Sequence, residues 1–143
     1  MTSRVILLVD DDVKVLLALK KRLEHEGYRV ITATSGEDAL ERMVDAAVDV
    51  VSLDVNMPGG LSGLDVAAAL RADPHTANVP IIFVTGSADE EFKQRCTAVG
   101  GRYFLAKPFD SDLLCQMLKG IFARDELAEI QRISHAKRRQ PVG

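Results

Sequence analysis

Five short apolar runs, Val5–Val9, Arg29–Ala33, Val48–Leu53, Val79–Val84 and Arg102–Leu105, are separated by stretches whose apolar residues recur at helical spacing. Continuous hydrophobicity, as opposed to alternation, is what a strand buried on both faces needs, and such strands belong to parallel sheets crossed by helices. The pattern predicts an α/β fold of five strand–helix units. At 143 residues the chain is long enough for one domain with its own core and too short for a second globular unit beside it. The intervening segments carry their own punctuation. Val15, Leu16, Leu19 and Leu23 form the apolar stripe of a first helix, and Ser35 with Asp38 reads as a capping-box variant opening a second. A third runs from about Leu64 to Ala72 and ends before Asp73-Pro74, because proline disfavours a helical residue in front of it. Asp110 or Ser111 caps a last helix after Pro108.

The residues at the strand ends are more informative than any single motif. The first strand runs into Asp10-Asp11-Asp12, the third into Asp54, the fourth into Thr85 and the fifth into Lys107-Pro108. In an open parallel sheet these ends share one edge, which is where such folds bind ligands. No Gly-x-Gly-x-x-Gly or Gly-Lys-Ser/Thr loop comes after the first strand, so this edge is not a phosphate cradle of the nucleotide-binding kind. Two carboxylates ~5 Å apart at an effective dielectric of ~20 repel by about 3 kcal/mol. Such a cluster needs a cation or a raised carboxyl pKa, and Mg²⁺ suits one or two carboxylates plus waters and a phosphate. Asp10 and Asp11 are candidate metal ligands and Asp54 a candidate nucleophile toward a phosphoryl group. Lys107 and Thr85 would supply charge and a donor to the transferred group. Asp12 is read as the N-cap of the first helix.

Val9-Asp10-Asp11, Leu53-Asp54-Val55-Asn56-Met57-Pro58 with Gly63 beyond, Val84-Thr85-Gly86 and Ala106-Lys107-Pro108-Phe109 together resemble the receiver domain of bacterial two-component response regulators. The resemblance covers about Arg4 to Leu118. It implies a flavodoxin-like (βα)5 three-layer sandwich with strand order 2-1-3-4-5, a phosphoryl group accepted on Asp54 from a histidine kinase or phosphotransfer protein, and Mg²⁺ held by Asp10, Asp11, Asp54 and the Asn56 main-chain carbonyl. Thr85 and Lys107 would contact the phosphoryl group, Thr85 and Phe104 would form the switch, and Asn56 and Ser87 would tune the phosphoryl lifetime. Signalling would then proceed through a helix 4–strand 5–helix 5 surface that controls partner binding or homodimerisation. In this form the protein acts only on itself. The alternative is a Mg²⁺-dependent phosphatase or phosphotransferase turning over an external substrate, for which Asp10-x-Asp12 has suitable spacing.

The chain departs from the pattern in two places. Met57-Pro58-Gly59-Gly60-Leu61-Ser62-Gly63 is one residue longer than usual, which predicts a looser loop beside the site, and Gly86 stands where alanine is common. Residues 1–119 are assigned to the receiver domain and 120–143 to a tail that extends the last helix, where Ala123, Leu127, Ile130 and Ile133 form a short stripe. That tail has no room for a helix-turn-helix, and the net charge of -3 argues against direct nucleic-acid binding. Cys96 and Cys115 lack metal or redox spacing and are expected as reduced thiols. Neither a signal peptide nor a membrane span is present, so the expected location is cytoplasmic.

Overall fold

In the computed structural model, which describes residues 3–86 and 90–139, strands and helices alternate along the chain. They are β1 (Val5–Val9), α1 (Val13–His25), β2 (Arg29–Ala33), α2 (Gly36–Asp45), β3 (Val50–Asp54), α3 (Gly63–Ala72), β4 (Ile81–Thr85), α4 (Glu90–Ala98), β5 (Tyr103–Ala106) and α5 (Ser111–Arg139). The five strands form one parallel sheet in the order β2-β1-β3-β4-β5.

The period of two along each strand divides the core. Leu7, Val9, Val51, Leu53, Ile81 and Phe83 join Ala39 and Met43 of α2, Val66, Ala67 and Leu70 of α3 and Cys96 of α4 in one buried cluster. The other face carries Ile6, Leu8, Val50, Ile82 and Val84, all buried, and Leu16 and Leu19 of α1 adjoin Leu8, Ser52 and Val84 there. Burying each such aliphatic side chain contributes roughly 1.5–3 kcal/mol, so the sheet is fixed from both sides.

β3, β4 and β5 lie one or two residues later than their apolar runs suggested, the first two for identifiable reasons. Val48 and Asp49 precede the β3 ladder because Asp49 closes the start of β1, its N–H donating to the Val5 carbonyl at 2.8 Å and its Oδ2 accepting from Val5 N–H at 2.7 Å. Pro80 has no N–H to give to a ladder, and β4 begins just after it. The shift makes Asp54 and Thr85 the last residues of their strands, each still paired in the sheet.

The chain comprises two compact units, Met1–Ser111 and Asp112–Gly143. In the second, Leu114, Cys115, Leu118, Ile121 and Phe122 are buried, whereas Leu127, Ile130 and Ile133 are exposed. The helix continues to Arg139. Both cysteines are buried, and neither is in a disulfide among the described residues.

Candidate phosphorylation site

Sheet register assembles the site. Val9 pairs with Leu53, so Asp10 stands level with Asp54; Asp54 pairs with Val84, and Thr85 with Ala106, one residue before Lys107. Asp10 and Asp54 are buried at 6% and 3% exposure, Thr85 is buried and Asp11 is exposed.

The two buried carboxylates are held alike. Asp10 Oδ1 accepts from the N–H of Asp12 at 2.9 Å, and Asp54 Oδ1 accepts from the N–H of Asn56 at 3.1 Å. Their other oxygens share one cation: Lys107 Nζ lies 2.9 Å from Asp10 Oδ2 and 2.9 Å from Asp54 Oδ2. Burial raises the Asp54 carboxyl above its ordinary range, against the pull of the Lys107 hydrogen bond and charge and of the Asn56 N–H. Burial works to lower the Lys107 ammonium, but the hydrogen bonds and charges of Asp10 and Asp54 outweigh it and hold the group above its usual value.

Asp10, Asp11 and Asp54 each offer an oxygen within 4.8 Å of the others. When all three are ionised, Lys107 leaves two negative charges unbalanced, which is the charge of one divalent cation. The donors are hard oxygens in a small cluster with one exposed member, the kind of set that Mg²⁺ takes while keeping waters. The residues present fit the ion.

Asp12 is not a member of that group. Its carboxylate accepts from Lys14 N–H at 3.0 Å and Val15 N–H at 3.4 Å and caps α1. In the phosphatase alternative Asp12 would be the second acid of Asp10-x-Asp12, and here its carboxylate caps the helix.

Phe104 is half-buried, its ring stacked on Phe83 with centroids 6.1 Å apart and 25° between planes. Ser87 lies outside the described residues. Gly63 has a steric reason absent from the motif itself: a Cβ there would fall 2.5 Å from the Asp54 carbonyl oxygen, where α3 starts across the end of β3. Gly86 has no such reason, since a Cβ there would meet nothing within 4 Å.

The β3–α3 loop differs from expectation. Its extra length is taken up by Gly59 and Gly60 at φ 72 and 67, and it is tied down, not loose. Glu37 Oε1 of α2 accepts from Leu61 N–H at 2.9 Å. Ser62 and Asp65 then form a capping box on α3. Sequence inspection also missed the cis bond between Lys107 and Pro108, and the open groove of about 830 Å³ beside the site, lined by Asp11, Val15, Ala18, Lys107, Phe109 and Ser111 among others.

A five-stranded parallel sheet whose first, third and fifth strands bring an acid pair, an acid and a lysine to one point defines a receiver fold with its acidic pocket. The model of the response regulator receiver domain matches residues 6–119, and the chain belongs to that family. It is a receiver domain of the two-component response regulators, a signalling switch activated by phosphorylation, with the flavodoxin-like fold. It is 37% identical over 127 residues to the transcriptional regulatory protein CpxR of Escherichia coli (strain K12), covering 89% of this chain and 53% of that protein. It is 40% identical over 127 residues to the virulence sensor protein BvgS of Bordetella pertussis, covering 85% of this chain and 10% of that protein. Among solved structures it resembles the chemotaxis protein CheY4 of Vibrio cholerae, with a TM-score of 0.80 and 32% identity over 84% of this chain and 99% of that one. The chain spans about half the length of transcriptional regulators such as CpxR. No helix among the described residues is long and apolar enough to cross a membrane.

Proposed function

We propose that Asp54 is the phosphoacceptor of this receiver, that Asp10, Asp11, Asp54 and the Asn56 carbonyl hold Mg²⁺, and that a histidine kinase or phosphotransfer protein is the donor. One observation carries the assignment: Lys107 bridges two buried carboxylates from different strands at 2.9 Å each, leaving an oxygen-rich pocket short of positive charge. A phosphoryl group joined to Asp54 brings its own oxygens to the same ammonium.

In the transfer an oxygen of Asp54 attacks phosphorus. The new O–P bond forms as the P–N bond to the donor imidazole breaks, and the imidazole leaves with that electron pair and takes up a proton. Bound Mg²⁺ would neutralise charge on the equatorial phosphoryl oxygens. Lys107 exchanges an Asp54 oxygen for a phosphoryl oxygen, and the Asn56 N–H orients the carboxylate before attack. The groove lined by Asp10, Asp11 and Lys107 opens beside the acidic pocket, and the donor would approach there.

Thr85 follows the phosphoryl group, and the Phe104 ring moves behind it, altering the surface around α4 and β5 through which partner binding or homodimerisation is controlled. Asn56 and Ser87 set access of hydrolytic water. Residues 1–119 form the receiver and 120–143 an appended segment, in a cytoplasmic setting. The test is labelling by acetyl phosphate with Mg²⁺: wild type becomes phosphorylated and Asp54→Asn does not. Equal labelling of Asp54→Asn would remove the assignment.

A further inference from the structure

A second charged region lies at the opposite edge of the sheet, where β4 and β5 begin. A cavity of about 270 Å³ there is lined by Arg71, Asn78, Pro80, Ile81, Arg102 and Tyr103, with Gly100 on its rim. Arg71, in the last turn of α3, is half-buried, and its guanidinium donates to the carbonyls of Ala77 and Val79 at 2.8 Å each and to that of Gly100 at 3.4 Å. Gly100, at φ 80, leaves the space this requires, since a Cβ there would fall 2.6 Å from Arg71 Nε.

Neutral carbonyls satisfy Arg71's donors without cancelling its charge. Among the described residues no carboxylate lies within ion-pair distance of Arg71 or Arg102, and the side chains of Asn78, Arg102 and Tyr103 have no hydrogen-bond partner there. The two arginines feel one another: the Arg71 guanidinium is held below its ordinary value, by burial and then by the charge of Arg102. Two uncancelled cations, an uncommitted amide and a phenol thus face one space whose remaining lining includes Ala77, Pro80 and Gly100.

We propose that this cavity is an anion site that takes the phosphate of a small phosphate monoester, seated between Arg71 and Arg102, with the ester's apolar body against Pro80 and the Tyr103 ring. The charge selects the class. A phosphate monoester carries roughly -1.5 to -2 at neutral pH and three acceptor oxygens, matching two guanidinium groups, whereas a monocarboxylate matches one. A bare phosphate leaves the apolar wall uncovered. The site is separate from the acidic pocket, because a five-residue strand spans roughly 17 Å, and it does not depend on phosphorylation of Asp54.

The test is a titration of the full chain with phenyl phosphate in EDTA, followed by backbone amide NMR shifts. The expected result is saturable shifts centred on Asn78, Gly100, Arg102 and Tyr103. Half-saturation should weaken at least about tenfold in Arg102→Ala, the loss of one charge-assisted fork. Inorganic phosphate and benzoate should both bind more weakly than phenyl phosphate. Arg102 is exposed, so Arg102→Ala should fold and keep Mg²⁺-dependent labelling by acetyl phosphate, which separates loss of the site from loss of the protein. Shifts centred on Lys107, absence of saturation, or an unchanged titration in Arg102→Ala would each overturn the proposal. Inorganic phosphate binding as tightly as the phenyl ester would overturn the role given to the apolar wall.

Discussion

The two edges of this sheet handle buried charge in opposite ways. At the carboxyl edge Asp10 and Asp54 face a countercharge, Lys107, at 2.9 Å. At the amino edge Arg71 donates to carbonyls, at 2.8 Å for the closest two, and meets no carboxylate among the described residues. Ion pairing makes the first arrangement exchangeable: a cation or a phosphoryl group can replace one partner, and the other redistributes. Carbonyl pairing makes the second a strut whose charge stays available to a ligand. Parallel strands create the contrast, because every strand delivers its last residue to one edge and its first to the other.

The comparison breaks if truncating the charged member at each edge has equal consequences. Lys107→Ala should have the larger effect, because it leaves two buried carboxylates facing each other. The loss in EDTA is expected at about 2 kcal/mol, below the 3–5 of a fully buried pair because the ammonium is about a third exposed. Mg²⁺ should restore most of it and bind at least about tenfold more tightly than to wild type, since a competing positive charge has gone. Denaturant unfolding with and without Mg²⁺ measures both; a variant whose stability ignores Mg²⁺ would contradict the charge-exchange account. Arg71→Ala should cost less, about 1–2 kcal/mol, since the neutral carbonyls left behind can take water, and Mg²⁺ should not rescue it.

A smaller effect sharpens the electrostatics of the acidic pocket. The Asp54 carboxyl titrates above its ordinary value of 3.8, chiefly through burial. A raised acid in the folded state binds its proton more tightly than the unfolded chain does. Its contribution to stability is therefore fully present below 3.8 and lost as pH rises through the folded value. In EDTA, Asp54→Asn should accordingly be more stable than wild type at neutral pH, with the difference shrinking as pH falls toward 3.8. Thermal melts across that range decide it, and a gap that widens on acidification would reverse the sign assigned here.

Much of this was readable from the residues alone. Apolar runs place strands because burial on both faces leaves few polar positions, and acids directly after them, as at Asp10 and Asp54, are anomalous enough to mark an edge. Strand boundaries were misplaced where a side chain or a missing N–H intervened, at Asp49 and Pro80, since hydropathy does not register hydrogen bonding. The Lys107 bridge needed the register between β3, β4 and β5, set by packing over the whole sheet. The Arg71 strut was invisible for a similar reason: its partners, Ala77, Val79 and Gly100, are backbone carbonyls that no residue type announces.

The β3–α3 loop shows the same difficulty at the smallest scale. Two consecutive glycines suggest freedom, yet both sit at positive φ in one defined turn, and the tether comes from a residue 24 positions earlier. A Cβ on Gly60 would approach Glu37 Oε1 to 2.3 Å, so the carboxylate lies directly over the glycine it needs. Glu37 is exposed, and one hydrogen bond to an exposed N–H is worth about 0.5 kcal/mol, the low end of such bonds. Glu37→Ala should therefore leave global stability almost unchanged while raising amide exchange at Leu61 a few-fold. Glu37→Gln, which keeps an acceptor, should stay near wild type. If Leu61 exchanges at the same rate in all three proteins, the glycines alone define the turn and the tether is incidental. If it responds as expected, the loop that carries Asn56 is ordered from α2, and its additional glycine is a space for Glu37 and not a hinge.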